Sequence, residues 1–159
     1  KNNGDDKEKL SKLLDTINLV ARDNARSPVQ WDDFEHAGFT TGKPWTRVND
    51  NYKEINAASQ VHEPKSNYPY WREVLKVRKD LKDLLVYGNF DILDYDNEKV
   101  FTFVKERNGK KAYVVLNFTS ESVPFKSLVD GELDLVISNE DSVSEGELTP
   151  YEGRIYLVK

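Results

Sequence analysis

The sequence predicts an α+β chain, with a helical, loop-rich amino-terminal half followed by a small antiparallel β-sandwich. Three observations carry this. Apolar residues recur at helical spacing from Leu10 to Val20, do so again from Tyr70 to Leu84, and change to a period of two after Val86. Within the second half, Asn108-Gly109 sits between two apolar runs, and both residues accept the positive φ that a two-residue type I′ hairpin turn requires.

Residues 1 to 6, Lys-Asn-Asn-Gly-Asp-Asp, hold nothing apolar and read as a loop or frayed start. From about Lys7 a helix is expected, with Leu10, Leu13, Leu14, Ile17 and Val20 forming one buried stripe. It delivers the run from Ala21 to Trp31. There Arg22 and Arg26, four residues apart, share one face if the helix continues through them, and Pro28 stops it. Residues 32–52 show no sustained period. Aromatics at 31, 34, 39, 45 and 52 predict a long ordered loop anchored by Trp31, and loops of this length are usually functional.

Pro64, Asn67 as a cap and Pro69 in the first turn announce a second helix. Its stripe is Tyr70, Val74, Val77, Leu81 and Leu84, widened by Trp71 and Leu75. Strands are expected at residues 86–94, 100–104, 112–118, 122–125, 133–137 and 155–158. Turns fall at Asp130-Gly131, Glu145-Gly146 and Glu152-Gly153, and the two halves meet at residues 84–88.

At 159 residues the chain can bury roughly 70% of its unfolded surface. It contains no methionine, not even at position 1, so it is expected to be a segment of a longer protein. A net charge of -5 with interspersed signs argues against a nucleic-acid partner. No run approaches 18 apolar residues, so no membrane segment is expected. Zero cysteines exclude disulfides and thiolate metal sites and give no reason to invoke an oxidising compartment, and the expected localisation is cytoplasmic.

The two histidines, His36 and His62, lie in loops without a paired ligand, so neither a metal nor a cofactor is expected. No nucleophile-elbow or phosphate-loop sequence occurs. Asn117-Phe118-Thr119 matches a glycosylation triplet but ends a strand, and it reads as structural. Two readings of the arginine run stand together. Arg22, Asp23 and Arg26 can form an internal ion-pair cluster, or the arginines with Gln30, Trp31 and the loop aromatics can line a sugar pocket.

The residues Ala21-Arg22-Asp23-Asn24-Ala25-Arg26-Ser27-Pro28-Val29-Gln30-Trp31, then Ala37-Gly38-Phe39-Thr40, Lys43-Pro44-Trp45 and Asn51-Tyr52, resemble the carboxy-terminal part of α-glucosidases of glycoside hydrolase family 13. The likeness is to maltases, isomaltases and oligo-1,6-glucosidases. It continues through Val86-Tyr87-Gly88 and residues 114–118 to Tyr151-Glu152-Gly153-Arg154. Val29, where the family commonly has methionine, is a volume-tolerant departure.

The resemblance implies that residues 1–84 are the end of a (β/α)8 barrel and residues 85–159 its small antiparallel carboxy-terminal domain. It implies that Arg22 and Arg26 lie at the substrate pocket, with Arg22 nearest the glucose. The chemistry would be retaining hydrolysis of terminal α-glucosidic bonds by carboxylates about 5 Å apart. Those acids belong to segments before Lys1, so no catalytic residue is expected here and the chain alone should be inactive. The expected partners are an α-glucoside oligosaccharide and the remainder of the barrel. The alternative is a non-catalytic carbohydrate-binding or structural relative, of the kind found as heavy chains of amino-acid transporters.

Overall fold

A computed structural model describes residues 6–159, apart from the side chains of Asp23 and Asn24. The loop expected at residues 1–5 lies outside the described residues. The chain divides into two compact units between Tyr68 and Pro69.

The first unit carries α1 (Lys7–Val20) and α2 (Ala57–His62). Asp6 caps α1 by accepting from the Lys9 amide at 3.2 Å, satisfying one of the donors a helix start leaves open. The apolar stripe forms as its spacing dictates, but no residue of α1 is buried, which corrects the expectation of a buried stripe. An amphipathic helix hides its stripe only where a surface lies over it, and among the described residues Leu10, Leu13, Leu14, Ile17 and Val20 all remain exposed.

The second unit holds most of α3 (Asn67–Asp80), then α4 (Lys82–Leu85) and an antiparallel sheet. The single helix expected through Leu84 is therefore two. Leu81 breaks it with φ -100° and ψ 27°, and the last turn packs on the sheet with Leu84 buried. Gly88 follows at a close crossing. A Cβ there would sit 2.4 Å from the Leu84 carbonyl oxygen and 3.1 Å from that of Glu106, so only glycine lets the chain pass.

Five strands pair in the order β1 (Asn89–Leu93), β2 (Val100–Arg107), β3 (Lys110–Asn117), β7 (Gly153–Val158) and β5 (Leu133–Ser138), all antiparallel. The β2–β3 hairpin turns at Asn108 (φ 52°) and Gly109 (φ 73°), the two positive values that the Asn-Gly pair predicts. A short ribbon of β4 (Val123–Pro124) and β6 (Glu147–Leu148) supplies Val123 and Leu148 to a cluster with Val104, Tyr113, Val115 and Tyr156 of the sheet. Burial alternates along β2 and β7 as a one-sided strand requires, whereas the central β3 buries Ala112, Tyr113, Val114 and Val115 in succession.

The expected turn at Glu152-Gly153 lies one step earlier. Tyr151 takes φ 58°, and Glu152 is 1% exposed rather than at the surface. It meets Arg154, 0% exposed, through two parallel bonds: Arg154 Nε to Glu152 Oε1 at 2.6 Å and Nη2 to Oε2 at 2.8 Å. Arg154 also donates to the carbonyls of Ser144 (2.7 Å) and Glu147 (2.5 Å), which holds the loop leading into β6 and the start of β6 itself. The carboxylate accepts from the Thr149 amide at 2.8 Å. A buried ion pair survives only when its remaining donors and acceptors are met, and here they are.

Desolvation is the largest single influence on Glu152 and pushes its pKa up. Hydrogen bonds from Arg154 and the Thr149 amide, with the Arg154 charge, outweigh it, so the carboxyl titrates below its ordinary 4.5. A carboxylate lowered by folding stabilises the native state above its unfolded value and loses that contribution as pH falls through its folded value. Thermal unfolding followed downward from pH 4.5 should show a falling midpoint that is flatter in Glu152→Gln. An unchanged acid slope in that variant would assign the acid sensitivity to another group.

Asn117 is buried and fully engaged, as its structural reading expects. Its Nδ2 donates to the carbonyls of Glu121 (2.8 Å) and Thr149 (2.7 Å), and its Oδ1 accepts from the Thr119 amide and hydroxyl. That leaves the glycosylation triplet without an accessible nitrogen in the folded chain.

Candidate functional site

The arginine run follows the end of α1. The helix stops at Val20 because Ala21 turns extended (ψ 121°), and Arg22–Ala25 continue as one 3-10 turn. Asp and Asn favour such local turns over helix interiors. The condition for a shared helical face therefore fails: Arg22 sits in the turn and Arg26 in the irregular segment after it, both exposed. Among the described residues neither arginine has an acidic partner, while the Asp23 side chain lies outside them.

Pro28 is buried, and the segment after it is knotted by Gln30. Gln30 Nε2 donates to the Ile55 carbonyl (2.5 Å) and to Asn51 Oδ1 (3.3 Å), its Oε1 accepts from Asn49 Nδ2 (3.3 Å), and its carbonyl accepts from the Ala57 amide (2.8 Å). That corrects the reading of Gln30 as a sugar-binding amide, since the loop uses its donors and acceptor. Trp31 anchors the loop through its backbone, to Ala37 and Ala58 at 2.9 Å each. Its indole is 53% exposed and does not form the expected buried anchor.

The loop's tightest point is the stretch at residues 36–38, all with positive φ. Ala37 is wholly buried, and a Cβ on Gly38 would fall 2.3 Å from the Asp32 carboxylate, which accepts from the Phe34 amide at 3.0 Å. Asn56 closes the far side. It caps α2 through the Ser59 amide at 2.9 Å and donates to the Tyr52 carbonyl at 2.9 Å. The result is a loop held by polar bonds, with Trp31, Phe34 and Trp45 open to solvent.

His36 faces Glu35 at 3.8 Å and His62 ends α2, so the two do not converge. Among the described residues no group of three or more His, Cys, Asp or Glu could hold a metal, and no helix is long and apolar enough to cross a membrane. The sequence missed the Gln30 knot and the Glu152–Arg154 pair. For the pair a signal existed, since Glu152, Arg154 and Tyr156 share one face at strand spacing.

Comparison with known proteins follows the same division of features. The alpha amylase catalytic-domain model matches residues 1–88. The chain is 50% identical over 155 residues to an alpha-glucosidase of Candida albicans, covering 97% of this chain and 27% of that protein. It is 37% identical over 159 residues to an oligo-1,6-glucosidase of Bacillus cereus, covering 96% and 28%. Among solved structures, the trehalulose synthase MutB from Pseudomonas mesoacidophila MX-45 superposes with a TM-score of 0.86 at 38% identity, over 94% of this chain and 28% of that one. An inactive double mutant of MutB has been solved in complex with isomaltulose. The chain thus spans about 28% of the length of the relatives it matches. With a catalytic-domain model covering more than half of its residues, the chain belongs to the alpha-amylase family of glycoside hydrolases, family 13.

Proposed function

We propose that the chain is the carboxy-terminal portion of a retaining α-glucosidase acting on maltose- or isomaltose-type oligosaccharides. The observation that carries this reading is 50% identity to an alpha-glucosidase across 97% of the chain. Residues 1–84 would belong to the catalytic barrel and residues 85–159 to a small antiparallel β domain that follows it in the chain. The family-model match ending at residue 88 and the ribbon packed on the sheet support that division.

In this reading the open stripe of α1 packs on the rest of the barrel. Exposed Arg22 and Arg26 then offer planar donor forks to sugar hydroxyls, at the barrel face where βα loops build active sites. Chemistry would come from two carboxylates in the part of the relatives that this chain does not span, one as nucleophile and one as acid/base. A cytoplasmic setting is part of the same proposal.

A chromogenic α-glucoside tests the proposal. The full-length parent should hydrolyse it with retention of the α configuration, and the purified 159-residue chain should not. Turnover by the chain alone overturns the absence of the acids. An inactive parent that still binds maltose overturns the enzymatic reading in favour of a binding protein.

A further inference from the structure

A cleft of about 200 Å³ opens beside the inward faces of β2 and β3, apart from the arginine run. Val115 and Leu148 form part of its apolar lining, and Phe125 lines it as well. Thr102 also lines it. This residue is 3% exposed and its hydroxyl makes no hydrogen bond among the described residues. Because none of their fully buried side-chain polar atoms lacks a partner, that hydroxyl still reaches solvent, on the side of the cleft it lines. The other buried polar side chains of this domain, Asn117, Glu152 and Arg154, are all engaged. A β-branched residue suits this strand position, and valine would meet that need without a hydroxyl. The fold does not use the Thr102 hydroxyl.

A second group points the same way. The Tyr113 hydroxyl accepts from the Leu128 amide at 3.3 Å, and its own proton reaches no described acceptor. Asp94 and Lys126 stand at the lining, one acceptor and one donor of opposite charge. Asp94 already accepts from Asn97 Nδ2 at 2.8 Å. A ligand of either charge therefore meets a like charge. A neutral molecule that both donates and accepts, with C–H faces for the apolar walls, meets a partner at each group. The volume lies below the ~300 Å³ of common ligand pockets, so it suits one small ring rather than a chain.

We propose that this cleft binds a small neutral polyol the size of one sugar ring, recognised through the hydroxyls of Thr102 and Tyr113. No residue of the arginine run lines this cleft, so the proposal does not depend on the role given to Arg22 and Arg26.

The test is a D-glucose titration of the 159-residue chain followed by amide NMR, with Thr102→Val in parallel. Saturable shifts should centre on Thr102, Tyr113 and Leu128 and weaken at least tenfold in the variant. Because the lost hydroxyl has no partner, Thr102→Val should keep the fold, and its unfolding midpoint should equal or exceed that of the parent chain. Absence of saturable shifts, equal affinity in the variant, or shifts centred on Arg22 instead would each overturn the site. So would tighter binding of glucose 6-phosphate than of glucose.

Discussion

Arg154→Ala is expected to lower the stability of this chain by about 3–5 kcal/mol, the cost of breaking a buried ion pair from one side. For a chain of this size that is a fall in Tm of roughly 10 °C. The loss has three parts. Glu152 stays in the core as an unpaired carboxylate, or is forced to bind a proton. The carbonyls of Ser144 and Glu147 lose their donors, which frees the segment leading into β6. Phe125, whose ring stacks on Tyr156 at 6.1 Å and lies 5.2 Å from the guanidinium carbon, loses a neighbour. Replacing Arg154 and Glu152 together by leucine should cost much less, because no buried charge remains. Chemical denaturation of the two single variants and the double variant gives the coupling. A loss below about 1 kcal/mol for Arg154→Ala would show that water reaches the pair, as at a surface ion pair.

What could be read from the sequence was local. The Asn108-Gly109 turn and the helices α1 and α3 follow from spacing within a few residues and formed, but neither helix buries any residue of its expected stripe, and Trp71 and Leu75 of α3 lie exposed. The end of α1 at Val20 was not readable, because no breaker occurs before Pro28 and the balance between helix and local turn at Ala21–Asn24 is small. β6 has two residues, too few to show a period. Glu152 was misread because an acid before a glycine usually marks a surface turn, and only its pairing with Arg154 makes burial affordable. Gln30 was legible as important but not in its role, since an amide beside a tryptophan suits a sugar and a loop knot equally. Arg22 and Arg26 came from resemblance more than from spacing, and both are exposed, with no acidic partner among the described residues.

Arg22→Ala in the full-length parent is expected to reduce kcat/KM for a maltose-type substrate tenfold or more, which is about 1.4 kcal/mol or more of transition-state stabilisation. The contrast with Arg154 sets the logic. Arg154 is enclosed and holds four partners, whereas Arg22 lies exposed in a single 3-10 turn with no acidic partner among the described residues. Its removal should therefore leave Tm nearly unchanged, and a kinetic loss can be assigned to the pocket rather than to the fold. Arg22→Lys separates charge from shape. It keeps the positive charge but loses the planar fork, so it should recover only part of the rate if two hydroxyls or a carboxylate are held at once. Full recovery by lysine would mean that Arg22 acts as a point charge. A lowered Tm accompanying the kinetic loss, or unchanged kcat/KM in a folded alanine variant, would move Arg22 from substrate binding to loop structure. In that case the guanidinium next in line is Arg26, five residues before the exposed indole of Trp31.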